Sequence, residues 1–272
     1  MLVDFARTAV ENENLGRRGV TDFLCLSFSV NDSIGHDYGP DSHEVMDITL
    51  RTDRLLADFF KFLDARIGLK NCTIILAGDH GTPPVPDRLK SFNPAIDAGR
   101  IDQPRVLATG EAALDRAFGP LAAGRHWFVI DSLALLFSTE ALQERNVAPA
   151  AAESVLRAAL LTLPFVEAAF TRTQLAAGEA PGEFGPAVLL SFHPQRSADV
   201  LYVPKPFWVD RATGTNHGTP YNYDTHVPLV WFGVGVKPGV RTERVGIDDI
   251  APTLAHLLGV LAPPRATGRI LF

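Results

Sequence analysis

Asp22-Phe23-Leu24-Cys25-Leu26-Ser27-Phe28-Ser29-Val30 is the stretch whose reading decides the fold. Its residues are mostly apolar without helical spacing, which predicts a strand buried on both faces. A polar segment follows, Asn31 to Glu44, in which Asp41 and Glu44 have the spacing of a capping box. The long helix expected after it sets Leu55, Phe59 and Phe62 on one face with Leu56, Phe60 and Leu63 beside them, and Gly68 ends it. Cys72-Thr73-Ile74-Ile75-Leu76-Ala77 reads as a second buried strand, running into Gly78-Asp79-His80-Gly81. Strand, long helix, strand is a βαβ unit. The expected fold is therefore α/β, a mostly parallel sheet flanked by helices.

Working outward, Met1 to Glu13 reads as an amphipathic helix with acidic residues. It has neither the basic start nor the continuous apolar run of a signal peptide. It also carries no N-cap of its own, which gives the expectation that the chain starts inside a longer protein. From Pro83 to about Thr213 the pattern changes to short alternating elements. Strands are expected at 126–137, 165–171, 188–192 and 199–203, with an Ala-rich helix at 148–163. That pattern predicts a small α+β subdomain, residues 87–213, inserted into a core made of 1–86 and 214–272. The core resumes with Gly214 to His226, a strand at 227–233 and a closing helix at 247–258.

The composition narrows the function classes. The 272 residues are 46% apolar and 21% charged, which supports a packed core and excludes a disordered chain. With 25 Lys and Arg against 31 Asp and Glu, the net charge of −6 argues against nucleic acid as a partner. No apolar run reaches the ~18–20 residues of a membrane span. Two cysteines, Cys25 and Cys72, make no disulfide framework and read as small core residues.

Polar residues of one chemical kind gather where the expected strands end. Asp32 and His36 stand four positions apart after the first strand, Asp79 and His80 follow the second, and His217 precedes another by a short loop. Taken singly, Asp32 and His36 also fit a surface ion pair, Asp79-His80-Gly81 a turn, and His217 a loop histidine. Taken together, they sit where open α/β sheets build their sites, beyond the carboxyl ends of the strands. Carboxylates and imidazoles crowded into one crevice call for a cation, and that donor mixture suits Zn²⁺ or a similar first-row metal.

The order Asp32, His36, Asp79-His80-Gly81, His217-Gly218 resembles the metal-binding half of the alkaline phosphatase superfamily. Residues 2–5, 9–16, 35–42 and 221–231 are similar to its single-chain bacterial members with a threonine nucleophile, the PafA-like alkaline phosphatases. Residues 248–259 and 268–271 resemble the superfamily's closing segment. The resemblance implies two zinc ions, one held by Asp32, His36 and His217, the other held in part by Asp79 and His80. Asp224 and His226 would support His217 from behind; a plainer alternative has His226 capping the strand that follows. No residue here takes the family's nucleophilic position: neither Thr8 nor Thr21 opens a helix after a strand-ending Asp. The expectation is a C-terminal half of such an enzyme, with its nucleophile upstream. Its substrate would be a small phosphate monoester, in the periplasm or secreted by family habit. The alternatives are a phosphodiesterase or nucleotide pyrophosphatase of the same superfamily, and a catalytically silent metal-binding fragment.

Overall fold

The computed structural model describes residues 1–272. In chain order the elements begin with helices α1 (Leu2–Asn12), α2 (Val30–Tyr38) and α3 (His43–Arg66), then strand β1 (Thr73–Ala77). Next come α4 (Pro86–Phe92), β2 (Gly99–Arg100), α5 (Gln103–Phe118), β3 (Phe128–Asp131), β4 (Ala134–Phe137), α6 (Thr139–Glu144) and α7 (Pro149–Leu160). The chain continues with β5 (Val166–Thr171), α8 (Arg172–Ala176), α9 (Gly185–Ser191), β6 (Val200–Pro204) and β7 (Trp208–Val209). Last are α10 (Asn222–Thr225), β8 (Leu229–Gly233) and α11 (Ile250–Leu258). Two compact units result: Met1–Ile34, Asp41–Gly81 and His226–Phe272 form the first, Gly35–Pro40 and Thr82–Thr225 the second. Helix α2 passes through the boundary.

In the first unit, Val3, Ala6 and Val10 recur at helical spacing on α1 and are buried with Phe59 and Leu63 of α3. The cap of α3 is Ser42 rather than Asp41. Its hydroxyl accepts the Val45 N–H at 3.1 Å, and the chain leaves the helix through Gly68 at φ +86°. Ser42→Ala is expected to lower the unfolding free energy by about 1 kcal/mol, measured by denaturant titration. Strand β1 pairs antiparallel with β8, Ile75 opposite Trp231. The edge of the Trp231 ring meets Phe272 with ring centroids 5.3 Å apart.

Three expectations fail in this unit. Residues 22–29 form no strand: their backbone makes no ladder, and Phe23, Leu24 and Cys25 are exposed. An apolar stretch becomes a strand only beside a hydrogen-bonding neighbour, and this one has none. Without that strand no βαβ unit forms, so β1 finds an antiparallel partner instead of a parallel one. Cys25 is accordingly not a core residue.

The second unit holds a four-stranded antiparallel sheet in the order β3-β4-β6-β5. Val106 and Leu114 of α5 and Leu156 and Leu160 of α7 share its core with Trp127, Phe128, Leu135, Phe165 and Tyr202. Gly110 lets α5 approach closely, since a Cβ there would fall 2.5 Å from Phe128 and 2.7 Å from Leu156. The parallel pairing in the molecule is the two-residue ladder of β2 with β7. The segment 126–137 is a hairpin, turning at Ser132 with φ +57°, rather than one strand. Of residues 188–192, expected as a strand, 188–191 lie in helix α9, which Pro186 opens in its first turn, and Phe192 caps its end.

Burial also leaves a carboxyl with an altered titration here. Glu111 accepts the Trp127 N–H at 2.8 Å, yet its burial outweighs that bond and pushes its pKa up. A carboxyl whose folded pKa is raised contributes stability in acid and loses it as pH rises through that folded value. Glu111→Gln is therefore expected to be more stable than the parent at neutral pH, with the gain vanishing in acid. Denaturant midpoints at the two pH values check this.

Candidate metal centre

Residues 31–38, expected as part of a polar segment, lie in helix α2, and that change gives the Asp32–His36 spacing its meaning. Four residues is close to one helical turn, so both side chains leave the same face. The helix opens with Ser33 N–H bonded to the Ser29 carbonyl at 3.2 Å and closes before Gly39 at φ +84°.

Within the second unit, an irregular strap, residues 214–217, runs along the end of α2. Gly214 makes the approach possible. It sits at φ +64°, and a Cβ there would fall 2.0 Å from the His36 carbonyl oxygen. Thr215, fully buried, donates its N–H to the His36 carbonyl at 2.8 Å and its hydroxyl to the Pro83 carbonyl at 2.9 Å. The Thr215 carbonyl lies 3.0 Å from His36 Nδ1. A carbonyl only accepts, so Nδ1 carries a proton, and in the neutral ring Nε2 carries the lone pair that a cation would take. The His217 ring stands 4.9 Å from the His36 ring, tilted by 30°. Asp32 stands one helical turn before His36 on α2.

In the first unit, β1 ends at Ala77 and delivers Asp79 and His80 two and three residues later. His80 repeats the device seen at His36: its Nδ1 is 3.0 Å from the Gly81 carbonyl. The same argument puts a proton on Nδ1, so in the neutral ring Nε2 carries the lone pair. That atom stands 3.7 Å from a carboxylate oxygen of Asp32 and 3.7 Å from one of Asp79. Asp79 is largely exposed, whereas His80 is three-quarters covered.

Of the two expected supporting residues, Asp224 is buried and accepts the Thr219 N–H at 2.8 Å and its hydroxyl at 2.6 Å. That pair of bonds closes the loop immediately after His217. His226 is exposed, ahead of β8. The strap residues Gly214 and Thr215 escape a sequence reading, because they act through backbone atoms that side-chain identity does not advertise. His36 presents the Nε2 of its neutral ring beside the His217 ring, and imidazole together with carboxylate is the donor chemistry suited to a first-row divalent cation, Zn²⁺ among them.

Comparison with known proteins gives the family and the fold. The alkaline phosphatase PhoV of Synechococcus elongatus is 32% identical over 270 residues, which is 99% of this chain and 48% of PhoV. A protein of Myroides odoratus named calcium-transporting ATPase is 33% identical over 275 residues, again 48% of its length. A crystal structure of the alkaline phosphatase PafA superposes with a TM-score of 0.89 at 26% identity, over 99% of this chain and 51% of PafA. The chain thus spans about half the length of the curated relatives it matches, and its fold is the alkaline phosphatase-like α/β fold. Residues 3–209 match the type I phosphodiesterase / nucleotide pyrophosphatase family, and to that family the chain belongs.

Proposed function

We propose that this chain forms the cation-holding part of a di-zinc phosphoric-ester hydrolase acting on small phosphate monoesters. Asp32, His36 and His217 hold one ion; Asp79 and His80 contribute to the second. The observation that carries the proposal is that His36 and His80 each set Nδ1 3.0 Å from a backbone carbonyl, which in the neutral ring leaves the Nε2 lone pair for a cation. Relatives named alkaline phosphatases along the whole chain support the reaction class.

The chain's own part in the reaction is positional. Thr215 and Gly81 fix the two ring orientations, and Asp224 closes the loop behind His217. Bound there, zinc would supply the positive charge that stabilises the attacking and leaving oxygens of a displacement at phosphorus. The nucleophilic threonine and its aspartate belong, in this proposal, to sequence outside these residues. Residues 87–213 are read as an insertion into the metal-holding core.

The zinc-loaded chain is expected to bind inorganic phosphate in a calorimetric titration, and the chelator-stripped chain is not. Equal heats from both would overturn the proposal. The same chain is expected to hydrolyse p-nitrophenyl phosphate no faster than background; robust zinc-dependent turnover would place the nucleophile among these residues after all. The family match over 3–209 favours a second reading, a phosphodiesterase. It gains if a protein carrying this chain with the nucleophile cleaves bis-p-nitrophenyl phosphate faster than the monoester.

A further inference from the structure

From the geometry of the second unit we infer that Arg100 is a positioning residue for the metal centre: it sets the strap that carries His217 and locks His36. The inference rests on the metal reading above and assigns a role to a residue that lies outside the donor set.

Arg100 ends β2, where the parallel ladder with β7 places it opposite Val209. Its side chain is three-quarters covered. The guanidinium divides its donors between one carboxylate and two backbone carbonyls. Nε bonds Asp87 of α4 at 3.1 Å, and Nη2 makes a closer contact with the same oxygen. Nη1 bonds the Arg211 carbonyl at 2.7 Å, and both terminal nitrogens stand 3.3 Å from the Gly214 carbonyl. These carbonyls belong to a segment with no helix or ladder of its own, so Arg100 supplies hydrogen bonds that regular structure would otherwise provide.

The consequence passes directly to the imidazoles. The Gly214 carbonyl belongs to the peptide that also contains the Thr215 N–H, which bonds the His36 carbonyl; the next carbonyl, that of Thr215, holds His36 Nδ1. Two residues on stands His217. The Arg211 side chain completes the arrangement by pairing with Asp37 of α2 at 3.2 Å. Only a planar fork reaches Asp87 and both carbonyls together; an ammonium keeps the charge but cannot span them.

Arg100→Lys tests this. Zinc affinity, measured by competition with a chelator of known strength, is expected to fall at least about 10-fold, the scale on which residues supporting a ligand act. The visible spectrum of the cobalt-substituted protein is expected to change with it. Arg172→Lys serves as comparison: Arg172 ties Asp199 at 2.9 Å and the Pro194 carbonyl at 2.7 Å in the same unit, away from the strap. That variant is expected to lose stability and keep zinc affinity. Parental affinity in Arg100→Lys overturns the inference, as does an equal loss in Arg172→Lys.

A parent protein that takes up no zinc would remove the metal reading alone. The inference is then decided on the apo protein by imidazole ¹⁵N shifts. His36 is expected to hold its proton on Nδ1 in the parent and to show mixed tautomers in Arg100→Lys. Unchanged shifts overturn it.

Discussion

His217→Ala is expected to lose tight zinc uptake, with affinity falling on the order of 100-fold or more, while His256→Ala keeps it. His217 and His36 face each other with ring centroids 4.9 Å apart, and Asp32 stands one helical turn from His36 on α2. Removing a residue that merely supports a ligand already costs ~10–100-fold, so removing a donor outright costs more. His256, in α11, has no place in this set. The measurement is zinc content per chain after gel filtration, followed by chelator competition. Equal retention by both variants would remove His217 from the centre. Because His217 lies on an irregular strap and not in a packed core, the loss should come without a matching loss of thermal stability.

The second large effect is expected at Gly214. Gly214→Ala should destabilise the second unit by about 2–4 kcal/mol, the range associated with backbone clash at a special φ. It should also weaken zinc binding by at least about 10-fold, the scale of lost ligand support. Two costs combine here. The residue sits at φ +64°, which L-residues with a Cβ adopt only with strain, and the added methyl would fall 2.0 Å from the His36 carbonyl oxygen and 3.1 Å from that of Asp37. Those oxygens belong to helix α2 and cannot rotate away as a side-chain end would. The strap must lift, taking the Thr215 carbonyl off His36. Gly124 separates the two costs: it has φ +80°, and a methyl added there would meet nothing within 4 Å. Gly124→Ala should therefore cost only ~1 kcal/mol and leave zinc binding alone. Similar losses in the two variants would show that the approach of strap to helix is unimportant.

Much of the element order is legible because it rests on periodicity. Helices α1, α3, α7 and α11 and strands β1, β5, β6 and β8 all lie where their apolar spacing puts them. What fails is pairing, which is a property of two segments rather than one. Residues 22–30 have a strand's composition but no neighbour, and β1 is antiparallel to a strand more than 150 residues away. Helix α5 goes unpredicted although Asp102 and Pro104 mark its start: Asp102 accepts the Arg105 N–H at 3.0 Å. In α9, Pro186 is the signal that outweighs Val188 and Leu189.

At the metal centre, the residue types and their spacings point to a cation, and the structure sets the His36 and His217 rings 4.9 Å apart with Asp32 one turn from His36 on α2. Asp79 and His80 meet Asp32 through a single imidazole nitrogen. The stretch around Asp32 reads in the sequence only as a polar segment, and only the folded helix turns its four-residue spacing into a shared face. The hydrogen bonds that choose the tautomers are invisible in the sequence. They come from carbonyls of Thr215 and Gly81, and every residue has a carbonyl.

The indole rings are shared unequally between the units. Trp127 and Trp208 belong to the second, whereas Trp231 stands in the first with its edge against Phe272. The molecule therefore carries its own optical labels: Trp231→Phe leaves emission from one unit only, and the double replacement of Trp127 and Trp208 leaves emission from the other. Light alone can then tell whether the two halves melt as one body or in turn.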